Sequence, residues 1–331
     1  MSEVRHRRLG LLGHDREWLA ATVLLLVLAL LPLSLPAWML TELSRYFAYM
    51  LLAASLAFVW GHCGMLCLGQ AVFFGIGAYS MSVVTLGKIS FLNGLVSSWV
   101  GVALGVGLAS LLALLLGSLF FYARGLGGAF FGIVTLAVAV IAERLAISSR
   151  WLGGQNGLMG VPSLQAGWNR GPEITNEYAV YFIALAVLAA GVGLTMRLAR
   201  SGWGLSLLAI RAHELRAEAL GIDVARRKTE AFVLGAGLAA LAGALFATQF
   251  NFTSPPLIGF AMSAEVLIWV ALGGRGSVVA ACLGALAVRL AEAWLSEPLG
   301  PVWLLVLGAS FLASVVLAPR GVFGFIAARR A

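Results

Sequence analysis

The sequence predicts an all-α integral membrane protein with about ten transmembrane helices, some of them short or re-entrant. Three observations carry this. Of the 331 residues, 61% are hydrophobic and 11% charged, and the mean hydropathy is +0.97, which leaves too little polar surface to cover a soluble globule. Apolar runs of about 18 residues or more recur along the chain, long enough to cross about 30 Å of hydrocarbon as helices and too long for barrel strands. The charge is gathered into short segments between these runs, as expected of the loops of a multi-pass protein.

The apolar runs predict helices near 19–38, 45–60, 69–86, 93–122, 127–146, 177–198, 229–250, 262–273, 278–295 and 302–318. The N-terminal residues 1–18 carry Arg5, Arg7, Arg8 and Arg16 and read as a cytoplasmic arm. With Pro32, Pro36 and Trp38 after the first run and no small-x-small cleavage site, that run reads as a retained anchor. The run at 262–273 is short and ends in Gly273-Gly-Arg-Gly-Ser277, which suggests a broken or re-entrant pair with its successor. Forty glycines suit close helix contacts in lipid, where packing must stand in for the hydrophobic drive.

Lys and Arg collect in the arm, in segment 200–228 and in the tail 321–331 with the adjoining Arg320, whereas 251–261 has none. By the positive-inside bias, both termini face the cytoplasm, and the 148–176 loop lies outside. The transmembrane domain then runs over 19–320. The net charge of +8 follows from these loops and does not indicate nucleic acid. Cys63, Cys67 and Cys282 lack zinc-site spacing and read as small buried hydrophobes, so no metal is expected.

Segment 200–228 holds six basic and three acidic residues. Leu205, Leu208, Ala212, Leu215, Ala219 and Ile222 recur at three-and-four spacing, predicting one amphipathic helix centred on Leu207–Gly221 with Arg211, Glu214 and Glu218 on its wet side. Ser201 or Ser206 can cap its start, Gly221 can supply a left-handed end with Ile222 folding back, and Asp223 can cap the next helix. Composition alone allows contact with lipid headgroups or with protein.

The string Ala209-Ile-Arg-Ala-His-Glu-Leu-Arg-Ala-Glu-Ala-Leu-Gly-Ile-Asp223 resembles the cytoplasmic loop of permease subunits in ATP-binding-cassette (ABC) importers for branched-chain amino acids and urea. Further matches are Gly64-Met-Leu-Cys-Leu-Gly-Gln-Ala-Val-Phe-Phe-Gly-Ile-Gly-Ala-Tyr79, Phe131-Gly-Ile-Val-Thr-Leu-Ala137, Gly153-Gly-Gln-Asn-Gly-Leu-Met-Gly160 and Val270-Ala-Leu-Gly-Gly-Arg-Gly276. Together they span most of 45–320 and resemble the LivM-type subunit rather than its LivH-type partner. Asn156, Ile268-Trp-Val270 and Trp294-Leu-Ser-Glu297 resemble the urea branch, whereas Arg124-Gly-Leu-Gly-Gly-Ala-Phe-Phe131 and His62-Cys63 depart from the family pattern.

The resemblance implies an ABC importer permease fold in the bacterial inner membrane, taking up urea, branched-chain amino acids or a similar small solute. It implies a homologous LivH-type permease, two cytoplasmic ATP-binding subunits and a periplasmic solute-binding protein as partners, besides membrane lipid. The loop would carry a coupling helix, with Arg211, Glu214, Arg216, Glu218, Ala219 and Gly221 at the ATPase. ATP and Mg would sit on the ATPases, leaving this chain without a cofactor and without enzymatic activity of its own.

As candidates for the solute path, Gln70, Thr135, Gln155, Asn156 and Gln249 offer donors and acceptors without fixed charge, and Glu265 could line the outer mouth. The same groups could equally bond neighbouring helices. No nucleotide-binding glycine loop and no nucleophile–histidine constellation is present. The rival reading is an ion-coupled secondary transporter of a small polar solute, using Glu143 or Glu265.

Overall fold

The computed structural model describes residues 2–89, 96–122, 128–167, 171–300, 302–318 and 321–324. Arg124, Trp168, Arg320, Arg329 and Arg330 lie outside the described residues. Among those described, helices form at every predicted apolar run: α1 Ser2–Leu30, α2 Ala37–Cys63, α3 Gln70–Thr85, α4 Ser98–Gly117, α5 Gly128–Ser148, α6 Glu177–Arg200, α9 Val224–Phe250, α10 Phe260–Gly273, α11 Val278–Leu299 and α12 Val302–Leu317. Two further helices, α7 Gly202–Ala212 and α8 Glu214–Ala219, fill the polar segment. Among the described residues, seven helices are long and apolar enough to cross a membrane, while α3, α10 and the apolar part of α12 are shorter.

The first span differs from its expected 19–38. Helix α1 stops at Leu30, a short turn holds Pro32, and Pro36 caps α2, which therefore begins at Ala37 rather than near 45. Proline lacks the N–H that a continuing helix needs, yet its fixed φ suits a helix start. At the other end, α9 begins five residues before the expected 229, because the Asp223 side chain accepts the Arg226 N–H at 2.9 Å.

Helices α2 and α9 form the centre. Burial covers 83% and 78% of their apolar windows, against 11% for α1, which packs at the periphery. Glycine sets the approach of α3 to α9: a Cβ on Gly77 would strike the Ala240 carbonyl oxygen, and one on Gly243 would strike that of Phe74. The predicted α10–α11 pair is a tight hairpin, in which a Cβ on Gly284 would meet the Trp269 carbonyl. Between α2 and α3, residues 64–69 leave the helix while Met65 and Cys67 stay buried.

One end of the bundle gathers Gly61, Arg211, Arg275 and the start of α11, where the Glu17 carboxylate accepts the Val278 N–H at 3.1 Å. The chain returns there after α12, the Val322 N–H donating to the Leu272 carbonyl at 2.7 Å. At the opposite end, the loops after α5 and α9 pair as a two-residue antiparallel ribbon, with Leu158 opposite Thr253. The Asn251 amide, in a left-handed residue that ends α9, donates to the Val161 carbonyl at 2.8 Å. The Tyr181 hydroxyl donates to the Leu28 carbonyl at 2.6 Å, so α1 and α6 are tied away from the elbow end.

Candidate functional site

The polar segment is not the single helix over Leu207–Gly221 that its periodicity predicts. It is an elbow, broken at His213, whose extended backbone (φ −162°, ψ 100°) ends α7 and whose side chain accepts the Arg216 N–H to open α8. A side chain that satisfies a helix start competes with helix continuation, which is how one histidine splits a regular repeat. The remaining caps follow the sequence expectation. The Ser201 hydroxyl accepts the Gly204 N–H at 3.3 Å, Gly221 is left-handed at φ +82°, and the Ile222 N–H returns to the Ala217 carbonyl.

The buried face is not the expected one either. Leu207, Ile210, Ala217 and Val224 turn inward, whereas Leu215 and Leu220 are 72% and 74% exposed and Leu205, Ala212 and Ala219 lie outside with them. The expected greasy face is therefore mostly the outer face. It stands beside Glu218 and Arg216, both exposed, so the elbow shows a mixed apolar and charged surface.

Three contacts tie the elbow to the bundle. The Arg211 guanidinium donates to the Gly61 carbonyl in the last turn of α2, where orphan carbonyls and the helix dipole favour a cation. Burial, and then the nearby charge of Arg275, push the Arg211 pKa below the ordinary arginine value. The buried Lys228 ammonium donates to Glu214 at 2.7 Å and lies 5.7 Å from the Phe121 ring. Trp203 Nε1 donates to Glu230 at 2.6 Å, and Glu230 also receives Arg226 and Arg227. Trp203, Arg226 and Glu230 border a cleft of about 610 Å³ between α4, α6 and α9.

Replacing Glu214 by glutamine removes the carboxylate that neutralises a buried ammonium, at an expected cost of about 1–3 kcal/mol. Hydrogen exchange should then quicken over residues 213–222. Unchanged exchange would show that Lys228 holds nothing there.

The expected pathway residues do not converge on one site. The Gln70 amide donates to the Ser55 hydroxyl at 3.0 Å and the Gly235 carbonyl at 3.1 Å, joining α2, α3 and α9. The Thr135 hydroxyl accepts the Leu68 N–H at 3.1 Å and donates to the Gly132 carbonyl. Thr135 thereby holds the non-helical 64–69 segment at Leu68. Gln155 and Asn156 stand exposed on a turn in the 148–176 loop. The Gln249 amide is buried with neither polar atom hydrogen-bonded. Glu143 lies against Gly259, in the turn before α10. The three cysteines are free and buried.

Glu265 has a partner that the sequence reading missed. Arg289 of α11 approaches it at 3.7 Å, also pairs with Glu292, and stacks 3.9 Å from the Tyr49 ring centroid and 5.2 Å from that of Trp269. The available signal was a lone arginine in an apolar run, three residues before Glu292.

The family model for the permease component of branched-chain amino acid transport systems matches residues 38–315. The chain is similar to the high-affinity branched-chain amino acid transport permease LivM of Salmonella typhimurium, at 29% identity over 303 residues, covering 82% of this chain and 67% of the relative. Similarity to LivM of Escherichia coli is also 29%, over 297 residues, with the same coverage. The LivH permease of Escherichia coli is 35% identical over 159 residues, covering 47% of this chain and 50% of LivH. No solved structure matches. Family and apolar helices together make this a multi-pass protein of the bacterial inner membrane. With the model spanning nearly the whole helical bundle, the chain belongs to the family of branched-chain amino acid transport permeases.

Proposed function

We propose that this chain is the LivM-type permease subunit of an ABC importer for branched-chain amino acids. It pairs with a LivH-type permease, receives solute from a periplasmic binding protein and is driven by two ATPase subunits that hold ATP and Mg. The observation that carries this is the elbow. Its exposed Leu215 and Leu220 flank Glu218 and Arg216, a mixed surface that suits a protein partner better than water, and it is anchored to α2 rather than lying free. Similarity to LivM over 82% of the chain supports the solute class.

The elbow end then faces the cytoplasm with both termini, and the ten apolar helices cross the membrane, α3 and α10 incompletely. ATP-driven closure of the ATPases moves the α7–α8 elbow, and the elbow carries the motion into α2.

Two substitutions test the docking role. Glu218→Lys reverses the exposed charge, and Gly221→Val strains a residue at φ +82° without filling a crowded space. Each is expected to lower ATP-driven leucine uptake about tenfold or more in proteoliposomes holding the whole importer, since the loss of a charged contact costs that much. Membrane insertion should be unchanged. Transport surviving both would remove the elbow from the drive. Competition between labelled leucine and urea identifies the solute, and uptake with hydrolysis-dead ATPases would instead indicate an ion-coupled carrier.

A further inference from the structure

Arg289 stands 11 residues from the start of α11 and 10 from its end, which at about 1.5 Å per residue puts it near the middle of the bilayer. Tyr49, whose ring it covers, lies 12 residues into the 27-residue α2. Glu265 faces Arg289 from the short α10. Charges at this depth are costly when they face lipid and are held where they meet protein or water. Yet the cluster is open on one side: the Arg289 side chain is 14% exposed, those of Glu265 and Glu292 33% and 37%. That open side therefore faces a wet passage or a partner.

The composition favours a passage. One guanidinium meets two carboxylates, so the cluster has a surplus negative charge. Arg289 holds Glu292 closely but Glu265 only at 3.7 Å, leaving Glu265 able to receive another cation. A guanidinium has five N–H donors, and donors not used by Glu292 remain for an anion. Tyr49 and Trp269, ring centroids 5.3 Å apart and both buried, back the guanidinium from within the bundle. An acceptor for ammonium and a donor for carboxylate match the two charged ends of an α-amino acid.

We propose that Arg289, Glu265 and Glu292 form a solute subsite on the permeation path. There the ammonium of an α-amino acid rests on Glu265 and its carboxylate on Arg289. This rests on the amino acid uptake proposed above and adds the residues that meet the solute within the membrane. Cytoplasm-end motion reaches the subsite through the α10–α11 hairpin, whose turn at Arg275 abuts Gly61.

The test uses the complete importer in proteoliposomes, with leucine as the probe. Arg289→Lys keeps the charge but loses the fork, so assembly should survive. Uptake is expected to fall about tenfold while binding-protein-stimulated ATP hydrolysis stays within about twofold, which separates a solute contact from a structural clamp. Glu292→Cys should react in the assembled complex with a membrane-impermeant thiosulfonate, and leucine should slow the reaction, against a low background because Cys63, Cys67 and Cys282 are buried. Wild-type uptake from Arg289→Lys, or an introduced thiol that reacts only in the isolated chain, would overturn the subsite and make the cluster an inter-subunit contact. If the wild-type importer carries no leucine, the function proposed above fails first, and the subsite with it.

Discussion

Gly243→Val is expected to prevent stable folding of this chain. The Cβ added at Gly243 meets the Phe74 carbonyl oxygen, and on the facing helix one added at Gly77 meets that of Ala240. Both obstacles are backbone, so no side chain can swing away and α3 must separate from α9. Forcing atoms into a packed contact costs about 1–3 kcal/mol for one methylene and more when backbone must shift. Even Gly243→Ala should therefore lower the thermal midpoint in detergent, and valine should leave little folded protein by size-exclusion chromatography. Gly107→Ala is the control, because nothing lies within 4 Å of its added Cβ. It should be neutral or slightly stabilising, given alanine's helix advantage of about 1 kcal/mol over glycine. Equal behaviour of the two would mean that the α3–α9 contact is not close.

Arg211→Ala is expected to separate ATP hydrolysis from transport. Arg211 joins the elbow to the Gly61 carbonyl, and its Cγ lies 3.0 Å from where a Cβ on Gly64 would be. Gly64, left-handed at φ +74°, opens the notch that the arginine fills. The Arg275 carbonyl approaches Gly61 from the α10–α11 turn, and the Arg275 guanidinium sits 5.4 Å from the Trp60 ring. Elbow, central helix and hairpin thus meet at one residue. A hydrogen bond from a charged donor contributes about 1.5–3 kcal/mol, so its loss predicts uptake lower by about tenfold or more at near-normal ATP turnover. Arg211→Lys should be intermediate. Uptake and hydrolysis falling together would assign Arg211 to docking rather than transmission.

These effects arise at two places where backbones of different elements approach closely. Neither could be ranked from composition, since Gly107 and Gly243 both sit in apolar, glycine-containing helices. Only the neighbour across the contact distinguishes them.

Much was legible in the chain by itself. Apolar length alone located the helices, because hydrocarbon imposes one solution on an unbroken backbone: every N–H must bond within its own helix. The caps at Ser201, Gly221 and Asp223 were legible because each acts on residues within a turn of itself. The end of α1 was missed, because the expected span 19–38 follows the apolar run through Pro32 and Pro36, which stop the helix.

Two features of the candidate sites were not legible. Helical spacing placed Leu205, Leu215 and Ala219 on the greasy face of a single helix, whereas the helix breaks at His213 and all three are exposed, with Leu207, Ile210 and Ala217 buried instead. Periodicity assumes an unbroken helix and shows which residues share a face, but not which face the bundle covers. Arg289 went unnoticed because its partners, Glu265 and Tyr49, are 24 and 240 residues away in sequence. The sequence determined a bundle of membrane helices with a charged segment between two of them, since burial in lipid and helix capping are local constraints. The tertiary structure alone decided which face of that segment is free and which charges meet in mid-membrane, because both depend on contacts between distant parts of the chain.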